Sequence, residues 1–219
     1  MTTTPSPDSI SVPETESAPQ AAPAAPARVD RRQAAQPVLE KLFELYPALF
    51  GAQFLPLKLG VYQELLASHP EQFEKESLKA ALAVHTRSTP YLNSMAEGHD
   101  RHDLQGQAVE AVAPEHVFLA IVELFRRRQL RTPQDLSPKL KSRLLAAFEA
   151  GGLSRQDYLA KIPASPASAL LEQALDQREA HLAKQEALRR AFQASDRTPE
   201  DFAQMYGLDP HAVRAMLKT

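Results

Sequence analysis

"RHDLQGQAVEAVAPEHV", residues 101–117, interrupts a chain whose other segments read as helices. Around Leu104-Gln105-Gly106-Gln107 the pattern alternates instead of recurring every three to four residues. This predicts a short β-hairpin, with Gly106 taking a backbone angle that side chains resist. Pro114 then predicts the start of a helix through "EHVFLAIVELFRRRQL", because a proline in the first helical turn forfeits no hydrogen bond. The fold class that follows is mainly α, with one small hairpin set among helices.

Working upstream, "ESLKAALAVHT" reads as a helix whose buried stripe is Leu78, Ala81, Leu82 and Val84. "LKLGVYQELLASH", entered at Pro56, reads as another. Val38, Leu39, Leu42, Phe43, Leu45 and Tyr46 recur at helical spacing until Pro47 ends the run. Residues 1–35 hold six prolines and only Ile10, Val12 and Val29 as larger apolar residues. That composition cannot bury enough surface to offset chain entropy, so a disordered tail is expected.

Downstream of Thr132 an α-helical extension, 132–219, is expected. "PKLKSRLLAAFEAGG" reads as a helix stopped at Gly151 and Gly152, and "SALLEQALDQREAHLAKQEALRRAFQA" as a long helix with charges on its outer side. Thr198-Pro199 and Asp209-Pro210 each place a capping side chain before a proline. They predict two short helices joined at Gly207, with Phe202, Ala203, Leu208, Val213 and Met216 as their apolar set. The spacing is compatible with a helix-turn-helix over residues 197–219.

The 219 residues carry 25 Lys and Arg against 27 Asp and Glu, and no cysteine. A net charge of -2 excludes a uniformly basic nucleic-acid binder while leaving room for a local basic face. Without cysteine there are no disulfides, thiolate metal sites or thiol nucleophiles. No stretch approaches the roughly 20 apolar residues of a membrane span, and no leader pattern opens the chain. A cytoplasmic protein with no membrane partner and no cofactor is expected.

"HTRSTPYLNSM", residues 85–95, has more donors than a connecting loop needs. Thr89-Pro90 is a helix start: Thr89 is expected to cap, leaving the N–H groups of Tyr91, Leu92 and Asn93 unpaired and attractive to phosphate. Thr86, Arg87 and Ser88 surround it, and the Tyr91 ring is suited to stack on a base. The plainer alternative is that Tyr91 and Leu92 pack inward and the hydroxyls merely cap.

"PLKLGVYQEL", "LKAALAVHTRSTPYL" and "RHDLQGQAVEAVAPEHV" together resemble, in order and spacing, three signature segments of the ProQ/FinO family of bacterial RNA chaperones. The resemblance covers about residues 36–131. It implies a FinO-like helical domain with a small β-hairpin. It also implies structured RNA as the partner, namely terminator hairpins, small RNAs and mRNA 3′ ends, in post-transcriptional regulation. Carried over by residue, it implies an RNA-binding set of Lys58, Lys75, Lys79, Thr86, Arg87, Ser88, Tyr91 and Arg101. Tyr91→Ala and Arg101→Ala are then expected to weaken binding and leave the fold intact.

Competing readings remain. Lys58, Lys75 and Lys79 are also ordinary helix charges, and Arg101 is placed to pair with Asp103 two residues along a strand. His116 reads as a structural residue. Residues 36–131 hold ten basic against twelve acidic residues, an acidic balance for a phosphate-tracking domain, and His85 stands where the family more often has an aromatic. Arg126, Arg127, Arg128 and Arg131 follow a buried helix. They suit either RNA or the dipole of that helix's C-terminus. "HDRHD", residues 99–103, offers acid–base and metal-ligand types, but strand alternation divides them and no other motif supports an enzyme. The rival function is a DNA- or protein-binding regulator acting through residues 197–219, where His211, Arg214 and Lys218 project, or a protein partner held by the extension.

Overall fold

Proline punctuates this chain at helix starts. In the computed structural model, which describes residues 27–51 and 53–217, Pro47, Pro90, Pro114, Pro138, Pro166 and Pro199 all sit in the first turn of a helix. The missing N–H has no intrahelical partner there, so the residue sets φ at no cost. These six prolines therefore belong to ordered structure.

The first helix is α1 (Ala27–Leu45), with Pro37 inside it, followed by the single turn α2 (Pro47–Phe50). The predicted tail overlaps α1. Residues 27–35 are helical and Ala35 is 1% exposed, so the boundary expected at residue 35 is too late. The rest of that tail lies outside the described residues. Then come α3 (Val61–Ser68), α4 (Lys75–Thr86), α5 (Thr89–Glu97), β1 (Arg101–His102), β2 (Ala108–Glu110) and α6 (Pro114–Gln129). The extension supplies α7 (Ser137–Gly151), α8 (Arg155–Lys161), α9 (Pro166–Gln193), α10 (Pro199–Tyr206) and α11 (Pro210–Leu217). Among the described residues no helix is long and apolar enough to cross a membrane.

The hairpin forms as the sequence predicts. β1 and β2 pair antiparallel, Arg101 opposite Glu110 and His102 opposite Ala108, with a bulge between them. Gly106 has φ +76°. Asp103 closes the turn: its Oδ1 accepts from the N–H groups of Gln105 (3.0 Å) and Gln107 (2.9 Å). The segment 56–58 lies along the other side of His102, which donates to the Pro56 carbonyl (2.8 Å) and accepts from the Lys58 N–H (2.9 Å). That third strand-like segment brings Leu57 and Lys58 to the site.

One core runs through both predicted units. Leu42, Leu65, Leu78, Phe118 and Ile121 share it with Leu144, Tyr158, Ile162, Leu171 and Leu175 of the extension. A second, small core holds Phe202, Ala203 and Val213, with Leu188, Phe192, Leu208 and Met216 packed on it. Residues 176–185 of α9 are exposed all round and bridge the two. Apart from Leu182 and two alanines this stretch is polar, and Asp176, Arg178 and Glu179 pair with Arg155 and Glu149 of α8 and α7.

Candidate functional site

The turn between α4 and α5 is where the sequence places most of its site residues. Ser88, not Thr89, is the N-cap of α5: its hydroxyl accepts from the Tyr91 N–H (3.3 Å), and its carbonyl accepts from the Leu92 N–H (3.1 Å). The expectation that Tyr91 and Leu92 offer free donors is thereby corrected. The cap falls one residue earlier because Ser88, in an extended conformation, reaches the third residue of the helix. Thr89 stands instead at the first helical position, where its hydroxyl meets the Arg127 guanidinium (3.4 Å). Thr86 donates its hydroxyl proton to the Leu82 carbonyl one turn back (2.9 Å), which leaves its oxygen able to accept. Arg87 is exposed.

Tyr91 is 5% exposed, and its ring packs edge-on against His85 at 5.3 Å. Its hydroxyl accepts from the Leu57 N–H (3.1 Å). Burial pushes the phenol pKa up, against the opposing pull of the Leu57 N–H and of Arg101. No open face of the ring is left for stacking, so the expected stacking is corrected. The plainer reading, of a tyrosine packed inward, describes its placement.

Arg101 is also inside, at 7% exposure. It donates to the Leu57 carbonyl (2.9 Å) and to Nδ1 of His116 (3.2 Å), and lies 3.8 Å from the Glu110 carboxylate on the facing strand. Donation to Nδ1 fixes the His116 proton on Nε2, so His116 is the structural residue that was expected. The alternative pairing with Asp103 does not form, because the Arg101 guanidinium is turned inward to the Leu57 carbonyl, His116 and Glu110. Tyr91 and Arg101 thus clamp the two sides of one peptide segment at Leu57. The next residue, Lys58, is half-exposed and ion-paired with Glu64, which raises its pKa.

Lys75 and Lys79 are exposed on α4. At 100° per residue, positions 75, 79 and 86 share one face of that helix, so the two lysines form a line that ends at Thr86.

His85 completes the site, although sequence reasoning noted only its unusual identity. With Leu78, Ala81 and Leu82 it forms the i, i+3, i+4, i+7 stripe in which Val84 had been expected. Its ring lies flat on Phe54 (5.0 Å, 10°) and beside Phe50 (4.7 Å). Nε2 is buried without a hydrogen-bond partner, and desolvation lowers the pKa to about 4. Phe54 itself has φ +48°, a conformation bulky residues rarely adopt.

The "HDRHD" residues are engaged structurally. His99 contacts Ser94 (3.1 Å) and Glu97 (3.5 Å), and His102 belongs to β1. Among the described residues no group of three His, Cys, Asp or Glu is placed to hold a metal. Arg126 and Arg127 both hold Glu123, at 2.7 Å each, and the hydrogen bond from Arg126 leads in drawing that carboxyl down to about 2.

The ProQ/FinO family matches residues 32–137. An RNA chaperone ProQ from Pseudoalteromonas atlantica is 35% identical over 91 residues, which cover 40% of this chain and 42% of the relative. One from Shewanella frigidimarina is 29% identical over 125 residues, covering 54% and 62%. The chain thus spans less than two thirds of these curated relatives. A crystal structure of a FinO-like RNA chaperone from Neisseria meningitidis is 29% identical, covering 41% of this chain and 92% of that one, with a TM-score of 0.37. The match begins within α1 and ends at the first residue of α7, so the stretch that is similar to the ProQ/FinO family, residues 32–137, takes in the hairpin, the α4–α5 turn and all eight predicted site residues.

Proposed function

We propose that this protein is a non-enzymatic RNA chaperone that binds structured RNA, holding the base of a terminator hairpin and its 3′ end. The observation that carries the reading is the line of Lys75, Lys79 and Thr86 along one face of α4, leading to Arg87, Ser88 and Thr89 at the start of α5. Lysines spaced by one helical turn neutralise successive phosphates of a backbone, which positions a strand without reading its bases. The strand then meets the hydroxyls of Thr86, Ser88 and Thr89 and the guanidinium groups of Arg87 and Arg127, side-chain partners for a terminal nucleotide. Tyr91 and Arg101 act from behind, by fixing Leu57 and presenting Lys58. An A-form duplex shows side chains little of its base edges, so recognition is by shape and strand end.

The test is competition at one salt concentration between a terminator hairpin ending in a short uridine tail with a free 3′ hydroxyl, the same RNA with a 3′ phosphate, and the same RNA with a long 3′ extension. The free hydroxyl RNA is expected to bind most tightly, because its ribose hydroxyls suit the hydroxyls of Thr86 and Ser88, a match that a 3′ phosphate or a further nucleotide removes. Equal affinities would remove the strand end from the mechanism. No binding by any of them would remove the function.

A further inference from the structure

Residues 126–143 contain seven basic residues, Arg126, Arg127, Arg128, Arg131, Lys139, Lys141 and Arg143, against one acid, Asp135. The chain as a whole is at -2, so the stretch is at +6 and the remainder at -8, although Arg126 and Arg127 are paired with Glu123 just upstream. Three of the seven, Lys139, Lys141 and Arg143, lie on α7, and all of α7 after its first residue falls beyond the family-matched stretch.

The fold turns this run into a band beside the candidate site. At the end of α6, Arg127 reaches Thr89 in the first turn of α5 (3.4 Å). In the second turn of α7, Arg143 donates to the Ala96 carbonyl in the last turn of α5 (2.9 Å). The chain therefore runs back along α5 from its first turn to its last, a length of about 13 Å for a nine-residue helix. Arg131 and Lys139 lie between these anchors in sequence and are exposed; among the described residues neither side chain makes a hydrogen bond or ion pair. Pro138, Lys139, Ser142, Arg143 and Ala146 line a shallow groove, with positions 139, 142, 143 and 146 on one helical face. Small residues between two cations let a phosphate backbone approach closely, and Arg143 uses few of its five donors on Ala96.

We infer that the band from Arg127 to Arg143, which runs from the end of the family-matched stretch onto α7 beyond it, is a second RNA-binding surface that takes the phosphate backbone of the duplex whose 3′ end lies at the α4–α5 turn. It rests on the reading of that turn as the strand-end site. An acidic protein is the other partner such a surface fits. RNA is favoured because the band is continuous through Thr89 with the turn.

The experiment compares the full chain with Arg131→Gln/Lys139→Gln, measuring affinity and its salt dependence for a terminator hairpin with a uridine tail, for the tail alone, and for polyglutamate. The double variant is expected to retain its melting temperature. It should lose about fivefold affinity for the hairpin at moderate salt and lower the salt slope by about 1.5, since each phosphate contact contributes about 0.7–0.9. Its affinity for the tail alone should be unchanged, and Arg131→Lys/Lys139→Arg should restore hairpin binding. Normal wild-type binding with an unaltered variant would overturn the band and leave the proposed function standing. Absence of any wild-type RNA binding would overturn both. Loss of polyglutamate binding with hairpin binding intact would assign the band to an acidic protein instead.

Discussion

The core that gathers Leu42, Phe118 and Leu175 is closed by residues far apart in the chain, whereas the C-terminal core around Phe202, Ala203 and Val213 closes within the stretch from Leu188 to Met216. The first admits buried polar groups: Arg101, His85 and Ser94 are each under 10% exposed. The second core's buried members are all apolar, and its helices are fixed by local signals. Thr198 caps α10 by accepting from the Asp201 N–H (3.2 Å), Gly207 takes φ +62°, and Asp209 accepts from the His211 N–H (2.9 Å). Polar burial is costly unless every group is satisfied, so a fold keeps it where geometry matters more than stability. The larger core is where the candidate site is built.

The contrast is sharpest for two aromatic residues. Tyr91→Ala removes a buried ring and strands the Leu57 N–H, so the expected loss is about 3–5 kcal/mol and the main transition should collapse. This replaces the expectation, drawn from sequence, of a folded protein with weakened binding. Phe202→Ala deletes a ring that is 0% exposed and packed edge-on to Phe192 at 5.3 Å. It should melt only residues 188–216, leaving the main transition and RNA affinity in place. Calorimetry and hydrogen exchange on the two variants check this, and a main transition lowered equally by both would show one cooperative unit.

A smaller effect separates the cores by pH. His85 titrates at about 4 when folded, against 6.5 for the free side chain. Between those values the unfolded chain binds a proton that the folded chain refuses. Stability therefore falls as pH drops from 6.5 through 4, by about 3 kcal/mol in all. His85→Phe keeps a ring beside Phe50, Phe54 and Tyr91 and removes the orphaned Nε2. It should raise stability near neutrality by about 1–2 kcal/mol and flatten the acid limb of the main transition, with the C-terminal core unaffected. A wild-type acid limb unchanged by the substitution would mean that other groups govern it.

What was legible in the sequence divides along the same line. Local signals gave the hairpin with Gly106 at its turn, the starts at Pro114 and Pro199, and the C-terminal pair of helices with their apolar set. α8 was missed, although Ser154 and Asp157 spell its cap: the Ser154 hydroxyl accepts from the Asp157 N–H (3.1 Å). The site was legible as a list of residues and not as an arrangement. Nothing local shows that Arg101 turns inward to a carbonyl 44 residues away, or that Tyr91 does the same to an N–H 34 residues away. His85 goes unassigned in the stripe because the periodicity is carried there by a polar ring, while a reading of apolar residues alone stops at Leu82 and Val84.

The smallest expected effect on stability, and the cleanest on function, belongs to Lys75 and Lys79. Both are exposed, neither is paired among the described residues, and they stand one turn apart on the outer face of α4. Truncating solvated helix charges changes folding by a few tenths of a kcal/mol at most. Lys75→Gln/Lys79→Gln should therefore melt like the wild type. If the face of α4 carries the strand that ends at Thr86, the double variant should lower the salt slope of RNA binding by about 1.5. Every RNA that shares the 3′ tail should weaken equally, because phosphate contacts carry no sequence. Flanking Glu74 and Glu76 partly offset the attraction of Lys75, so Lys79→Gln alone should account for more of the loss than Lys75→Gln alone. An unaltered slope in the double variant would confine the interface to the turn itself.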